Sequence, residues 1–161
     1  MNIIICGVSG TGKSTIGAHL AKVLGLAFRD GDDFHPAANV KKMQSGSPLT
    51  DADRQPWLER LADNLSQWES GGGAVLACSA LKESYRQLLV SKCEKKPHWV
   101  MLTGAPELLA QRLKNRENHF FDPALLASQL EALELPSYGQ KIDVSAAPDD
   151  IVYAIKKELS R

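Results

Sequence analysis

Along this chain, short apolar runs rich in β-branched residues alternate with longer segments whose apolar residues recur every three or four positions. The runs read as strands and the longer segments as amphipathic helices. Continuous apolar strands alternating with helices point to a parallel sheet covered on both faces, an α/β fold. The pattern predicts a strand over 2–6 and a helix over 13–24, with Ile16, Leu20, Val23 and Leu24 on its inner face. A short strand over 27–29 follows, then a short helix over 37–43 with Pro36 at its start, where proline is tolerated. The next helix runs over 51–70, with Trp57, Leu58, Leu61, Leu65 and Trp68 as the buried stripe, and three consecutive glycines, 71–73, end it. Strands are expected over 74–78, 98–102 and 142–144, and helices over 82–90, 106–116 and 123–133. Pro148, Asp149 and Asp150 open a last helix, with acids at its positive end and Ile151, Ile155 and Leu159 facing inward. No internal repeat or linker breaks the pattern.

Composition narrows the partners. The 161 residues carry 19 basic and 19 acidic side chains. A balanced chain offers no net field to nucleic acid or to an anionic membrane, so neither is expected as a partner. Any anionic ligand must be held by a local cluster of positive charge. A chain of this size buries about 70% of its unfolded surface, enough for one domain with a proper core. Cys6 and Cys78 lie in apolar runs and Cys93 stands apart, which suggests reduced thiols rather than a disulfide framework. The opening residues carry no basic stretch, and their apolar run is too short for a leader or a membrane span. The expected location is cytoplasmic.

The strongest chemical signal is the segment from Gly7 to Ser14, Gly-Val-Ser-Gly-Thr-Gly-Lys-Ser, a full match to G-x-x-x-x-G-K-[ST]. A strand precedes it and an amphipathic helix follows, the context such a phosphate loop requires. Gly7, Val8, Ser9, Gly10, Thr11, Gly12, Lys13, Ser14 and Thr15 are therefore the candidate nucleotide-binding residues. Backbone N–H groups at a helix N-terminus favour phosphate oxygens. The Lys13 ammonium would neutralise the β- and γ-phosphates of ATP, and the Ser14 hydroxyl would ligate Mg2+. The chain has neither an Asn-Lys-x-Asp guanine-reading segment nor an Asp-x-x-Gly switch, so a regulatory GTPase is disfavoured. A small-molecule kinase remains by elimination.

Arg29-Asp30-Gly31-Asp32-Asp33-Phe34-His35-Pro36 follows the second strand. Ligands bind at the carboxyl ends of strands in open α/β sheets, and this cluster is expected beside the P-loop strand. Asp32 is the candidate general base and helps hold Mg2+, with an ordinary acidic turn as the alternative. The strand over 74–78 does not end in the aspartate that many P-loop proteins use for metal, which leaves metal ligation to Ser14, water and Asp32.

At this point the sequence resembles a known family. The stretch from Asp30 to Pro36, then Asn39, Lys42-Met43 and the segment 45–49, is similar to thermoresistant-type gluconokinase. So are the segments 51–58 and 78–82, Tyr85-Arg86, His119-Phe120-Phe121 and the stretch 125–134, all in collinear order. The resemblance implies the nucleoside monophosphate kinase architecture: a three-layer P-loop kinase fold with a five-stranded parallel sheet, substrate-binding helices and a small lid. It also implies ATP-dependent phosphorylation of D-gluconate to 6-phosphogluconate, usually by a homodimer. Alternatives on the same scaffold are a shikimate-type or nucleotide kinase, or a nucleotide-binding protein without acceptor chemistry.

An acceptor with one carboxylate and five hydroxyls needs a cation and several oriented polar groups. Arg54, Lys82 and Arg86 are candidates for the carboxylate, which arginine holds through paired hydrogen bonds. Lys82 and Arg86 are expected on one helical face, four residues apart. Asp32 and His35 would read hydroxyls, with Lys42, His119 and Gln129 as further contacts; a ring packed beside Phe120 and Phe121 is the alternative for His119, and a helix-surface role for Gln129. Solvated ion pairs are the alternative for the basic residues. The lid is expected over about 112–123, with Arg112 and Arg116 on one helical face, covering the phosphoryl group and excluding water.

Overall fold

The computed structural model describes residues 1–116 and 123–161. Its elements in chain order are β1 (Ile3–Cys6), α1 (Lys13–Leu24), β2 (Ala27–Asp30), a 3-10 turn (Gly31–Phe34), α2 (Ala37–Gln44), α3 (Asp51–Ser70) and β3 (Ala74–Ala77). Then come α4 (Glu83–Leu89), β4 (His98–Thr103), α5 (Pro106–Lys114), α6 (Pro123–Ala132), β5 (Gln140–Asp143) and α7 (Pro148–Leu159). The five strands form one parallel sheet in the order β2-β3-β1-β4-β5.

That order corrects one expectation. β2 does not flank the P-loop strand; β3 lies between them, paired with both. The final strand also begins and ends earlier than its apolar run suggested. Gln140 and Lys141 pair with Val100 and Met101, because ladder pairing, not hydrophobicity, sets the limits of an edge strand.

Alternation along the central strands divides the interior in two. Ile3, Ile5, Val75, Val100 and Leu102 face one layer, with Ile16 and Leu20 of α1, Leu109 of α5 and Ile151 and Ile155 of α7. Ile4, Cys6, Leu76, Cys78 and Met101 face the other, with Trp57, Leu58, Leu61 and Leu65 of α3 and Leu89 of α4. All three cysteines are free thiols, Cys6 and Cys78 buried. Among the described residues no helix is long and apolar enough to cross a membrane.

Asn2 ties the layers together at the amino end of the sheet. It is buried, its Nδ2 donates to the Leu65 carbonyl at 2.9 Å, and its Oδ1 accepts from the Ala74 N–H at 3.1 Å. Its own carbonyl accepts from the His98 N–H. One side chain thus joins the end of α3 to the start of β3. Asn2→Ala takes the side-chain acceptor from the Ala74 N–H and one donor from the Leu65 carbonyl. It should lower the unfolding free energy by about 1–3 kcal/mol, measured by urea titration.

Candidate active site

The turn after β1 is dictated by crowding. Gly7 has φ 147°, and a Cβ there would lie 2.8 Å from the Leu102 carbonyl oxygen of β4. Gly12, with φ 87°, caps α1 in the left-handed region, which favours glycine. Between them Thr11 is buried, and its hydroxyl donates to the Val8 carbonyl at 2.8 Å. The loop is thereby wound onto the N-terminus of α1, a helix start that favours anions.

Lys13 lies under this loop, its Nζ donating to the Val8 carbonyl at 3.2 Å. Burial holds its pKa below the ordinary lysine value, and Asp32 opposes that shift. At the next residue the Ser14 hydroxyl donates to Asp30 Oδ2 at 3.0 Å, while Asp30 Oδ1 accepts from the Asp32 N–H. The carboxylate that meets Ser14 is therefore Asp30, although β2 is one strand removed from β1. Asp30 stood in the quoted acidic string, but spacing alone did not say which carboxylate of Asp30-Gly-Asp32 turns back toward α1. Desolvation, and after it the charge of Asp30, raises the Asp32 pKa, with Lys13 pulling the other way.

A cavity of about 210 Å³ opens beside the loop. Gly10, Thr11, Gly12, Thr15 and Ile16 form one wall, Arg112 and Arg116 another, and Val144, Ala146, Pro148 and Ile151 the apolar floor. Arg112 also donates through Nη2 to the Val144 carbonyl at 2.7 Å. Helix α5 ends at Lys114, so Arg116 lies beyond it rather than on one helical face with Arg112; the cavity, not the helix, brings the pair together. His119 and the lid positions 117–122 lie outside the described residues.

On the acceptor side, the first turn of α3 meets the start of α4. Arg54 Nη1 donates to the Leu49 carbonyl at 2.8 Å and to the Tyr85 hydroxyl at 3.3 Å, with its guanidinium over the Tyr85 ring. Tyr85 hydrogen-bonds Asp51, which also accepts from Lys82 Nζ at 3.4 Å. The Tyr85 bond, ahead of Lys82, holds the Asp51 carboxyl below its ordinary pKa. Lys42 Nζ is 2.5 Å from Asp53 Oδ2, and that pairing, with the Thr50 N–H, takes Asp53 down to about 2. Lys42 thus braces the capping box of α3, where the Thr50 hydroxyl accepts from the Asp53 N–H.

His35 lies flat on Trp57, centroids 4.2 Å apart and planes 13° from parallel. Trp57 is held in turn by donation from Nε1 to the Gly31 carbonyl at 2.8 Å. Desolvation and the nearby Arg54 push the His35 pKa down to about 4.

Arg86 corrects the sequence reading. It is 1% exposed, and its donors are taken within the protein. Nη1 donates to the Ala80 and Leu81 carbonyls, Nη2 to the Glu134 carbonyl, and Nε to Glu83 and the Tyr138 hydroxyl. Lys82, the N-cap of α4 with extended backbone, remains at the surface, so the two cations do not share a helical face. Gln129 is also placed differently. Its Oε1 accepts from the Ser9 N–H at 2.7 Å, which puts it on the phosphate loop rather than among the acceptor residues.

A protein-family model described as an AAA domain matches residues 3–122. A gluconokinase of Gluconobacter oxydans is 50% identical over 142 residues, covering 87% of this chain and 79% of that protein. The thermosensitive gluconokinase of Escherichia coli is 46% identical over 141 residues, covering 87% and 75%. The crystal structure of a gluconokinase from Sinorhizobium meliloti 1021 superposes with a TM-score of 0.87 at 40% identity, covering 94% of this chain and 87% of that one. The chain belongs to the gluconokinase family. Within this gluconokinase fold, then, the P-loop and the Asp30–Asp32 turn meet through Ser14, and the Arg54–Lys82 cluster is joined through Asp51 and Tyr85.

Two outcomes follow for the buried braces. Arg86→Leu, and also Arg86→Lys, whose single ammonium cannot span three backbone carbonyls, should each cost about 3–5 kcal/mol in urea unfolding. For His35, the folded protein excludes a proton until about pH 4, whereas the unfolded chain binds it near 6.5. Acid therefore favours unfolding through that window, and thermal midpoints recorded from pH 7 to 4 should fall less steeply in His35→Gln than in the parent.

Proposed function

We propose that this protein transfers the γ-phosphoryl group of ATP to D-gluconate, giving 6-phospho-D-gluconate by direct in-line displacement. The observation that carries the reading is the contact between a complete P-loop and the acidic turn after β2, Ser14 to Asp30 at 3.0 Å, in a chain of this family. The triphosphate lies along the amides of residues 7–15, with the base over the floor of Val144, Ala146, Pro148 and Ile151. Ser14 and Asp30 present two hard oxygens 3.0 Å apart, a donor set that suits Mg2+, which accepts one or two protein oxygens and fills the rest with phosphate and water. Mg2+ supplies neutralisation of charge across the β- and γ-phosphates.

Asp32 accepts the proton of the attacking hydroxyl as the new O–P bond forms and the bond to ADP breaks, and its raised pKa suits that task. Lys13, Arg112 and Arg116 neutralise the transferring group, and the lid over 112–123 excludes water, the competing acceptor. Arg54 and Lys82 take the acceptor carboxylate, with His35 and Asp32 on hydroxyls. Arg54 Nη2 has no hydrogen bond among the described residues, which leaves it a donor for that contact. The reading is completed by a single cytoplasmic kinase domain acting as a homodimer, as the resemblance implies, without nucleic-acid or membrane partners.

The deciding experiment is ADP release with MgATP against D-gluconate, other sugar acids, shikimate and nucleoside monophosphates. Turnover on gluconate alone is expected, and turnover on another acceptor alone would overturn the substrate. With the true acceptor, Asp32→Asn should keep ATP affinity while kcat falls by at least about a hundredfold. A mutant of near-normal kcat would remove Asp32 as the base.

A further inference from the structure

Asn39 is 4% exposed on α2, and its side-chain nitrogen faces two partners. Nδ2 lies 2.9 Å from the Asp53 carbonyl oxygen and 3.2 Å from His35 Nδ1. A carbonyl oxygen only accepts, so the Asp53 contact fixes which end of the Asn39 amide points this way. The same nitrogen then presents its second hydrogen to His35, whose Nδ1 must offer a lone pair. The neutral ring carries its single proton on Nε2. That atom makes no hydrogen bond among the described residues, and no buried side-chain nitrogen or oxygen there lacks a partner, so Nε2–H is open to solvent.

The ring is also fixed in plane. Stacking on Trp57 sets its tilt, and Trp57 is pinned to the Gly31 carbonyl. Gly31 packs so closely under β3 that a Cβ there would lie 2.8 Å from the Ala77 carbonyl oxygen. The backbone N–H of His35 donates to the Asp32 carbonyl, which ties the ring to the turn that carries the proposed base. The groups facing it are one cation, Arg54 of α3, and the amide of Asn39. Both disfavour a second proton.

We infer that Asn39 is a positioning residue that locks His35 as a neutral, one-way donor, whose Nε2–H recognises an oxygen lone pair on a polyhydroxylated acceptor. The inference rests on the proposed acceptor site and adds a direction to one of its contacts. A donor without charge binds a hydroxyl or carboxylate oxygen but does not select an anion over a neutral polyol. Charge selection is left to Arg54 and Lys82. The donor also stays fixed while the acceptor's own hydroxyl proton moves to Asp32, so it contributes to binding more than to turnover.

The test reads tautomer and kinetics separately. In 15N-labelled wild-type protein without ligand at neutral pH, long-range 1H–15N correlation should show a protonated Nε2 and a bare Nδ1 for His35. A protonated Nδ1 would overturn the lock, whatever the acceptor proves to be. With whichever acceptor turns over best in the panel, His35→Leu should raise KM about five- to tenfold, the size of one net hydrogen bond, and change kcat less than about threefold. His35→Gln, whose amide nitrogen reaches the position of Nε2, should restore most of that KM; His35→Asn, which reaches only Nδ1, should not. Equal KM for the Gln and Leu variants, or a loss confined to kcat, would sink the proposal. Gluconate failing as substrate while the tautomer and the Gln rescue hold on another acceptor would discard the substrate reading alone.

Discussion

Much of this site depends on one guanidinium that has no opening to solvent. The loop leaving β3 must turn sharply to pass under the P-loop, and Ala80, with φ 42°, takes a left-handed conformation that only glycine adopts cheaply. Arg86 holds it there by donating to the Ala80 carbonyl, and it collects the Leu81 and Glu134 carbonyls with its other donors. The Glu134 N–H returns to Leu81, and the Glu83 N–H donates to the Glu134 side chain. Ser79, in the same loop, accepts from the Gly7 N–H at the mouth of the phosphate loop. The end of α6, the start of α4 and the base of the P-loop therefore share one hydrogen-bonded knot, with Arg86 filling its centre. Burying an arginine is tolerable only when its charge and every N–H are matched, and here Glu83 supplies the opposite charge.

Around that knot the protein creates strong local fields in a chain with no net charge. Acids gather in the turn after β2, cations at Arg112 and Arg116 and around the start of α3, and several are kept from collapsing onto each other by dedicated partners. Asp53 absorbs Lys42, Asp51 absorbs part of Lys82, and Asp30 is occupied by Ser14 and a backbone amide. Among the described residues, the Asp32 carboxylate and Arg54 Nη2 are left without such a partner. Uneven satisfaction of otherwise similar side chains separates the groups available for chemistry from those that hold the frame.

The fold was legible because its signals are local. Strand and helix periodicity located all five strands and seven helices, most within a residue or two, and the P-loop announced itself by spacing alone. The sheet order was not legible, since nothing in β2 says whether β3 will slot between it and β1. Arg86 and Lys82 looked alike as two cations four residues apart, yet an extended Lys82 moves one out to water while the other is drawn inward by carbonyls from 80, 81 and 134. Those acceptors are backbone atoms with no signature in the sequence. Asp30 was hidden for a related reason, since its partner Ser14 is distant in sequence and only the crossover through α1 brings them together. Gln129 read as a candidate contact, but that it would reach the P-loop depends on how α6 docks.

The contact between Gln129 and Ser9 gives the phosphate loop a built-in occupant. An amide hydrogen serves one strong acceptor at a time, and this one is already serving a side chain of α6. Whatever oxygen claims it from the loop side displaces the carboxamide, and α6 loses its hydrogen bond to the loop. Filling of the loop and the docking of α6 thus compete for one hydrogen, while Leu126 keeps the helix in the core.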